Sequence, residues 1–243
     1  MTSTTPLVWL ASFILWLGGW EKITPEFRAR FLRYPKKIVI FPHTTYWDFV
    51  ILVLYGLVDW PEYHRKVYVV VKPQLLTGWK GRIFSYFNCI PATMREEEGK
   101  GFVSRTAARF VDQPEASIFI APDGTIERSE WKTGFYHLAK LIDCPIQVVG
   151  LDYHLHCPII YEPVAIGELE PTKALLVEQM SGITPLYPEN SVVPHLRRPT
   201  SLFSYRNIST VLIWVWVYLA LIQSVPAPTY LWIALLSLTY LQA

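Results

Sequence analysis

In the stretch IVIFPHTTYWDF, residues 38–49, a histidine and an aspartate stand five positions apart, His43 and Asp48. An imidazole takes a proton readily near neutral pH. A carboxylate held against one ring nitrogen fixes the tautomer and stabilises the imidazolium that forms. The pair therefore has the makings of a general base with its orienting acid. A plainer reading competes: Thr45-x-x-Asp48 is also a capping-box pattern, in which Asp48 satisfies N–H groups at a helix start. On this stretch alone both readings stay open.

A second constellation lies in SIFIAPDGTIERSEWKTGFYHLA, residues 117–139. An apolar run ends in Pro122-Asp123-Gly124-Thr125. Gly124 permits positive φ or close backbone approach, and Thr125 with nearby N–H groups suits an anion. Arg128 and Lys132 put positive charge close by. Taken by itself, Pro-Asp-Gly is an ordinary turn sequence.

Both groups follow runs that read as buried strands. Residues 37–41, 66–71, 117–121 and 146–153 are short, nearly continuous β-branched or apolar stretches, as expected for strands covered on both faces. A fifth run, 158–166, contains Pro163 and belongs at a sheet edge. Helical patterns fall between them. In residues 99–113, Phe102, Val103, Ala107, Phe110 and Val111 share one face, and 130–142 is a further helix. The alternation predicts an α/β domain with a largely parallel central sheet flanked by helices. In such sheets ligands bind beyond the carboxyl ends of the strands, where His43 and Asp123 would stand.

Over the 243 residues, 51% are hydrophobic and only 17% charged, against about a quarter charged in an average soluble domain. The excess apolar content sits at the two ends. Residues 6–20, PLVWLASFILWLGGW, are uncharged but shorter than the roughly 20 residues of a perpendicular span, so a shallow or re-entrant helix is expected. A secretory signal peptide fits poorly, with no basic residues before the run and no small-x-small site after it. Residues 208–225 and 229–243 flank the breaker Pro226-Ala227-Pro228 and read as a membrane-embedded hairpin. Arg197, Arg198 and Arg206 precede it, which places the preceding domain on the cytosolic side. The expected organisation is a membrane-associated helix over 1–20, a catalytic domain over 21–207 and the hairpin over 208–243.

A net charge of +2 without a basic stripe excludes a typical nucleic-acid binder. Cys89, Cys144 and Cys157 are widely spaced and odd in number, which fits neither a disulfide framework nor a zinc site. His64, His137, His154, His156 and His195 offer no metal-ligand set.

The ordered set of H-x4-D at His43 and Asp48, VVKPQLL at 70–76, IPATMREEEGKG at 90–101, APDGT at 121–125, WKTGFYHLA at 131–139 and the apolar strand at 145–151 resembles the glycerolipid acyltransferase family. These are membrane enzymes that acylate glycerol-3-phosphate and lysophosphatidic acid. The resemblance covers most of residues 38–153. It implies that His43 is the general base and Asp48 its orienting partner. It further implies that Asp123, Gly124 and Thr125 help bind the acceptor's phosphate, with Arg95, Arg128, Lys72, Lys100 and Lys132 as candidate cations. Three departures bear on the acceptor. The family's glutamate in the phosphate block is Asp123 here, and the arginine after threonine is Ile126, with Arg128 the nearest. Arg95 stands one position later than the family's arginine of the Ile-Pro block.

The resemblance implies transfer of a fatty acyl group from acyl-CoA or acyl carrier protein to the hydroxyl of a lysophospholipid, with 1-acylglycerol-3-phosphate the leading acceptor. No cofactor is expected beyond the donor thioester. The implied partners are membrane lipids, the acyl donor and the lysophospholipid, and no nucleic acid. Two alternatives remain at this point: a phospholipid–lysophospholipid transacylase using the same pair, and a non-catalytic lipid-binding membrane protein on the same scaffold.

Overall fold

The computed structural model of the protein describes residues 6–59, 66–78, 81–82, 84, 87–92, 96–124, 130–202, 207, 211–212 and 215, and only the backbone of 96–100. Among them, six strands form one sheet in the order β3-β2-β4-β1-β5-β6. They are β1 (Lys36–Ile40), β2 (Val67–Val71), β3 (Cys89–Pro91), β4 (Ala116–Ile120), β5 (Ile146–Asp152) and β6 (Cys157–Ile160). The pairs β1–β4, β1–β5, β2–β4 and β2–β3 are parallel. Strand β6 runs antiparallel along the edge of β5. The sheet is therefore mixed, parallel except at the edge where the proline-containing run was expected. Pro163 lies just past β6, beside an isolated antiparallel bridge from Val164 to Ile146.

The continuous apolar character of β1 follows from burial on both faces. Ile38 and Ile40 join Phe110, Leu138, Leu176 and Met180 in the core on one side. Val39 meets Phe31, Val149 and Ile160 on the other. Helices cover both faces accordingly. On the first lie α4 (Glu96–Phe110), α5 (Gly134–Leu141) and α6 (Leu169–Ser181). On the second lie α2 (Pro25–Leu32) and α3 (Tyr46–Asp59), with α1 (Pro6–Leu17) packed against α3. Fully burying an isoleucine-sized side chain contributes about 1.5–3 kcal/mol, so Ile38, Ile40, Ile118 and Ile146 outweigh the few polar groups buried among them.

The largest of those polar groups is Lys37, which is fully buried. Its Nζ donates to Phe31 O at 2.6 Å and Tyr34 O at 2.8 Å, satisfying carbonyls at and just past the C-terminal end of α2. Burial lowers its pKa to about 7. At its other end α2 is set by Thr24, whose Oγ1 accepts from Phe27 N at 3.2 Å, and by Pro25 in the first turn. Arg30 ties the helix to the sheet edge through Ile160 O at 2.7 Å and Glu162 at 3.0 Å.

Helix α1 has 12 residues, about 18 Å of rise against a hydrocarbon core of about 30 Å. No helix among the described residues is long and apolar enough to cross a membrane. The shallow or re-entrant helix expected over residues 6–20 corresponds to α1, which is too short to span a bilayer. The hairpin expected over 208–243 lies outside the described residues, apart from 211–212 and 215. Asn207, just before it, donates through Nδ2 to Trp16 O near the end of α1.

Candidate active site

The candidate residues gather at the carboxyl end of the sheet. His43 follows β1, Lys72 follows β2, Asp123 and Gly124 follow β4, and Tyr153 follows β5. Because β4 and β5 both flank β1, the loops carrying Asp123 and Tyr153 come up on either side of the His43 loop. This is the crevice beyond the strand ends where α/β sheets bind ligands.

The turn from β1 into α3 builds the first half of the site. Thr45 caps α3: its Oγ1 accepts from Trp47 N at 3.3 Å. Asp48, in the first turn, reaches back, and its Oδ2 accepts from Thr44 N at 2.9 Å and Thr45 N at 3.0 Å. The capping box thus forms, and the same carboxylate oxygen lies 3.5 Å from His43 Nδ1. One side chain therefore makes both the capping contacts and the approach to His43. At 3.5 Å, with Nδ1 buried and lacking an aligned partner, the His43–Asp48 contact is electrostatic rather than a formed hydrogen bond. Catalytic contacts of this kind often tighten only when substrate binds.

Asp48 reaches this position through the burial stripe of α3. Asp48, Ile51 and Tyr55 are its buried residues, the spacing of a single helical face. Its second oxygen, Oδ1, accepts from the Tyr153 hydroxyl at 2.8 Å in a buried setting. Burial, and then the Asp48 charge, raise the Tyr153 pKa, so the phenol stays protonated as a donor. On the opposite side of α3, Tyr46, Trp47 and Val50 are exposed. The His43 ring, whose side chain keeps 21% exposure, lies between Phe41 at 5.7 Å and Tyr46 at 6.4 Å.

The turn after β4 builds the second half. Gly124 adopts φ +68°, the left-handed conformation that glycine takes without steric cost, and its N–H donates to Ala121 O at 3.1 Å. Lys132 N donates to Pro122 O at 3.0 Å, and its side chain runs over Gly124, 3.5 Å from where a Cβ would stand. Asp123 is 2% exposed, and its Oδ1 has no hydrogen-bond partner among the described residues. Burial pushes its carboxyl up to about 6, against the opposing pull of nearby His43 and Trp131.

Of the candidates, the structure brings together His43, Asp48, Asp123, Gly124 and Lys132, and sets Lys72 at the end of the next strand. Thr125, Arg128 and Arg95 lie outside the described residues, as does the Lys100 side chain. Two contributors to the site were not singled out from sequence. Tyr153 was visible only as the last residue of an apolar run. Asn190, far along the chain, donates through Nδ2 to Thr44 O at 3.0 Å and steadies the His43 loop. The cysteines offer no activated nucleophile: burial pushes the thiols of Cys89 and Cys157 up to about 11 and that of Cys144 up to about 12.

A histidine facing a buried carboxylate above an α/β sheet, without an activated thiol, suits proton transfer from a hydroxyl. The family model described as acyltransferase matches residues 22–152. The chain belongs to the acyltransferase family. Among solved structures it is similar to the crystal structure of the 1-acyl-sn-glycerophosphate (LPA) acyltransferase from Thermotoga maritima. The two share 14% identity and a TM-score of 0.42, over 71% of this chain and 77% of that one. No curated protein matches the sequence.

Proposed function

We propose that the protein is an O-acyltransferase that moves a fatty acyl group from acyl-CoA, or an acyl carrier protein, to the free hydroxyl of a lysophospholipid, with 1-acylglycerol-3-phosphate the first acceptor to test. The observation that carries this reading is His43 Nδ1 standing 3.5 Å from an Asp48 carboxylate that is itself locked by main-chain donors. With Nδ1 turned to Asp48, Nε2 is the nitrogen left for the acceptor hydroxyl. As that oxygen attacks the thioester carbonyl, its proton passes to Nε2 and a C–O bond forms. The tetrahedral intermediate then breaks its C–S bond, and His43 returns the proton to the departing thiolate. General-base catalysis of this kind is worth roughly 10²–10⁴-fold. The raised cysteine pKa values support direct transfer without an acyl-enzyme.

The second turn supplies the acceptor side. Lys132 over Gly124, with Lys72 beyond, gives cations for a phosphate. Thr125, Arg128 and Arg95 are assigned to the same task.

The membrane is the natural place for this reaction, since both the acceptor and the acyl chain partition into it. Helix α1 exposes Leu7, Trp9, Leu10, Phe13 and Trp16, with Trp9 68% exposed. An apolar face of this kind, rich in tryptophan, suits the bilayer interface. The exposed Tyr46 and Trp47 extend the apolar character to the rim of the His43 loop. The catalytic domain then lies on the cytosolic side, where the thioester donor is made.

The test is a radiolabelled acyl-CoA assay on membranes carrying the protein, against glycerol-3-phosphate and a panel of lysophospholipids. The expected result is label transfer to 1-acylglycerol-3-phosphate and its loss in His43→Ala. Label transfer without acyl-CoA, from a labelled phospholipid, would identify a transacylase instead. Undiminished transfer by His43→Ala would sink the assignment of the base.

A further inference from the structure

Asp48 is the one residue in the site whose two carboxylate oxygens face different jobs. Oδ2 collects the two main-chain N–H groups and faces the imidazole, so it is fixed from the side of its own loop. Oδ1 points the other way, into the core. There, among the described residues, a single neutral donor meets it, the hydroxyl of Tyr153 at 2.8 Å, from 105 residues away. Both side chains are buried, Asp48 at 3% and Tyr153 at 0% exposure.

The phenol is unusually well placed for one task. Its main chain is tied on both sides: Tyr153 N donates to Thr184 O at 2.8 Å, and Thr200 Oγ1 donates to Tyr153 O at 3.0 Å. Its ring is held edge-on by Trp20 at 5.2 Å between centroids. Trp20 also packs edge-on at 6.4 Å against Tyr55, the α3 residue two turns below Asp48. Tyr55 in turn donates to Glu21 O at 2.6 Å. The donor and the helix carrying the acceptor are thus clamped by one aromatic cluster, and neither can turn away without breaking it.

We propose that Tyr153 is a positioning residue for the acyl transfer, fixing the rotation and the charge distribution of the Asp48 carboxylate and, through it, the orientation and basicity of His43. The inference rests on the reading of His43 as the base. Two physical effects follow. Rotation of Asp48 about its last torsion is stopped, because each oxygen has its own donors and the two sets lie on opposite sides. In addition, a hydrogen bond to the ionised carboxylate disperses its charge, which limits how strongly it stabilises the imidazolium. Without the phenol, Asp48 would hold the His43 proton more tightly and in a less defined geometry.

The test compares the full-length protein in its membranes with Tyr153→Phe, Asp48→Asn, the double variant and His43→Ala, with rates expressed per folded protein. Tyr153→Phe keeps the ring and its packing on Trp20 while removing only the hydroxyl. Its kcat is expected to fall about tenfold, the scale of a hydrogen bond to a charged group, with KM for donor and acceptor unchanged. The acid limb of its kcat/KM profile is expected to move to higher pH. In the Asp48→Asn background the same substitution is expected to cost little more, because its route through Asp48 is already gone. A Tyr153→Phe enzyme with kcat within twofold of the parent and an unmoved acid limb overturns the proposal. An equal loss in both backgrounds does so as well, since Tyr153 would then act independently of Asp48. Activity surviving His43→Ala strikes first at the base assignment, and the proposal falls with it.

Discussion

Two buried aspartates stand at the ends of neighbouring parallel strands, and the protein treats them in opposite ways. Asp48, after β1, receives two main-chain donors and a phenol. Asp123, after β4, is equally buried at 2% exposure, yet Oδ1 has no hydrogen-bond partner among the described residues and the carboxyl is pushed up to about 6. Hydrogen bonds to a carboxylate favour its charged form, and desolvation opposes it. Near the same histidine the protein thus holds one carboxyl met by three donors and another with one oxygen unmet among the described residues. A completed hydrogen-bond set suits a residue that must not move. An unsatisfied buried oxygen suits a position where a ligand completes the set.

The sharpest way to break this contrast is Asp48→Asn. The amide preserves the shape and keeps an acceptor for Thr44 and Thr45, but removes the charge opposite His43. A fall in kcat of about a hundredfold is expected, with the thermal midpoint little changed. Parental turnover in that variant would reduce Asp48 to a helix cap.

Asp123→Asn probes the other side through stability. The folded carboxyl holds its proton to about pH 6, whereas the unfolded one releases it near the ordinary 3.8. Between these values the folded state binds more protons, so stability is lost as pH rises through the window. Above it the ionised group costs about 3 kcal/mol, as an order of magnitude. The variant is therefore expected to melt higher than the parent at pH 8 and to lose that advantage at pH 4. Equal melting temperatures at pH 8 would show that Asp123 is as well satisfied as Asp48.

Gly124→Ala tests the turn that carries Asp123. A Cβ there would make only ordinary contact with Lys132 at 3.5 Å. The cost is that of a left-handed backbone at φ +68°, about 1–2 kcal/mol. Denaturant titration measures it, and a raised KM for the phosphate-bearing acceptor should accompany it. The smallest effect is expected from Asn190→Ala, which removes the donor to Thr44 O. Calorimetry should register a loss of about 1 kcal/mol, with kcat lowered a few-fold because the His43 loop is less constrained. An unchanged kcat would confine Asn190 to stability.

The α/β alternation was legible because β1, β4 and β5 are mostly buried and, with the partly buried β2, read as unbroken apolar runs. These four start within one residue of the expected strands, whereas the three-residue β3 was not expected. Helix α2 was harder to see, since its eight residues are mostly charged or aromatic and it depends on caps supplied by Thr24 and Lys37. Helix α6 likewise buries only Thr172, Leu176 and Met180, too sparse a stripe to stand out. Val111, assigned to the apolar face of α4, is instead 46% exposed. The helix ends at Phe110, so the face it would have continued stops one residue short.

The site divides along the same line. Thr45, Asp48 and His43 form their contacts within one turn, and capping chemistry acts over three or four residues, so the local sequence was sufficient to specify it. The Pro-Asp-Gly turn is local in the same sense, because only glycine accepts its backbone cheaply. What faces His43 was decided elsewhere. The order β4-β1-β5 brings residues from opposite halves of the domain to one strand's end, and hydrophobic pairing of strands carries no local record of its neighbours. The sequence by itself determined a histidine, a capped carboxylate and a glycine turn at strand ends. Only the packing of the sheet decided that Tyr153 would hold one aspartate and that nothing in the described chain would bond to Oδ1 of the other.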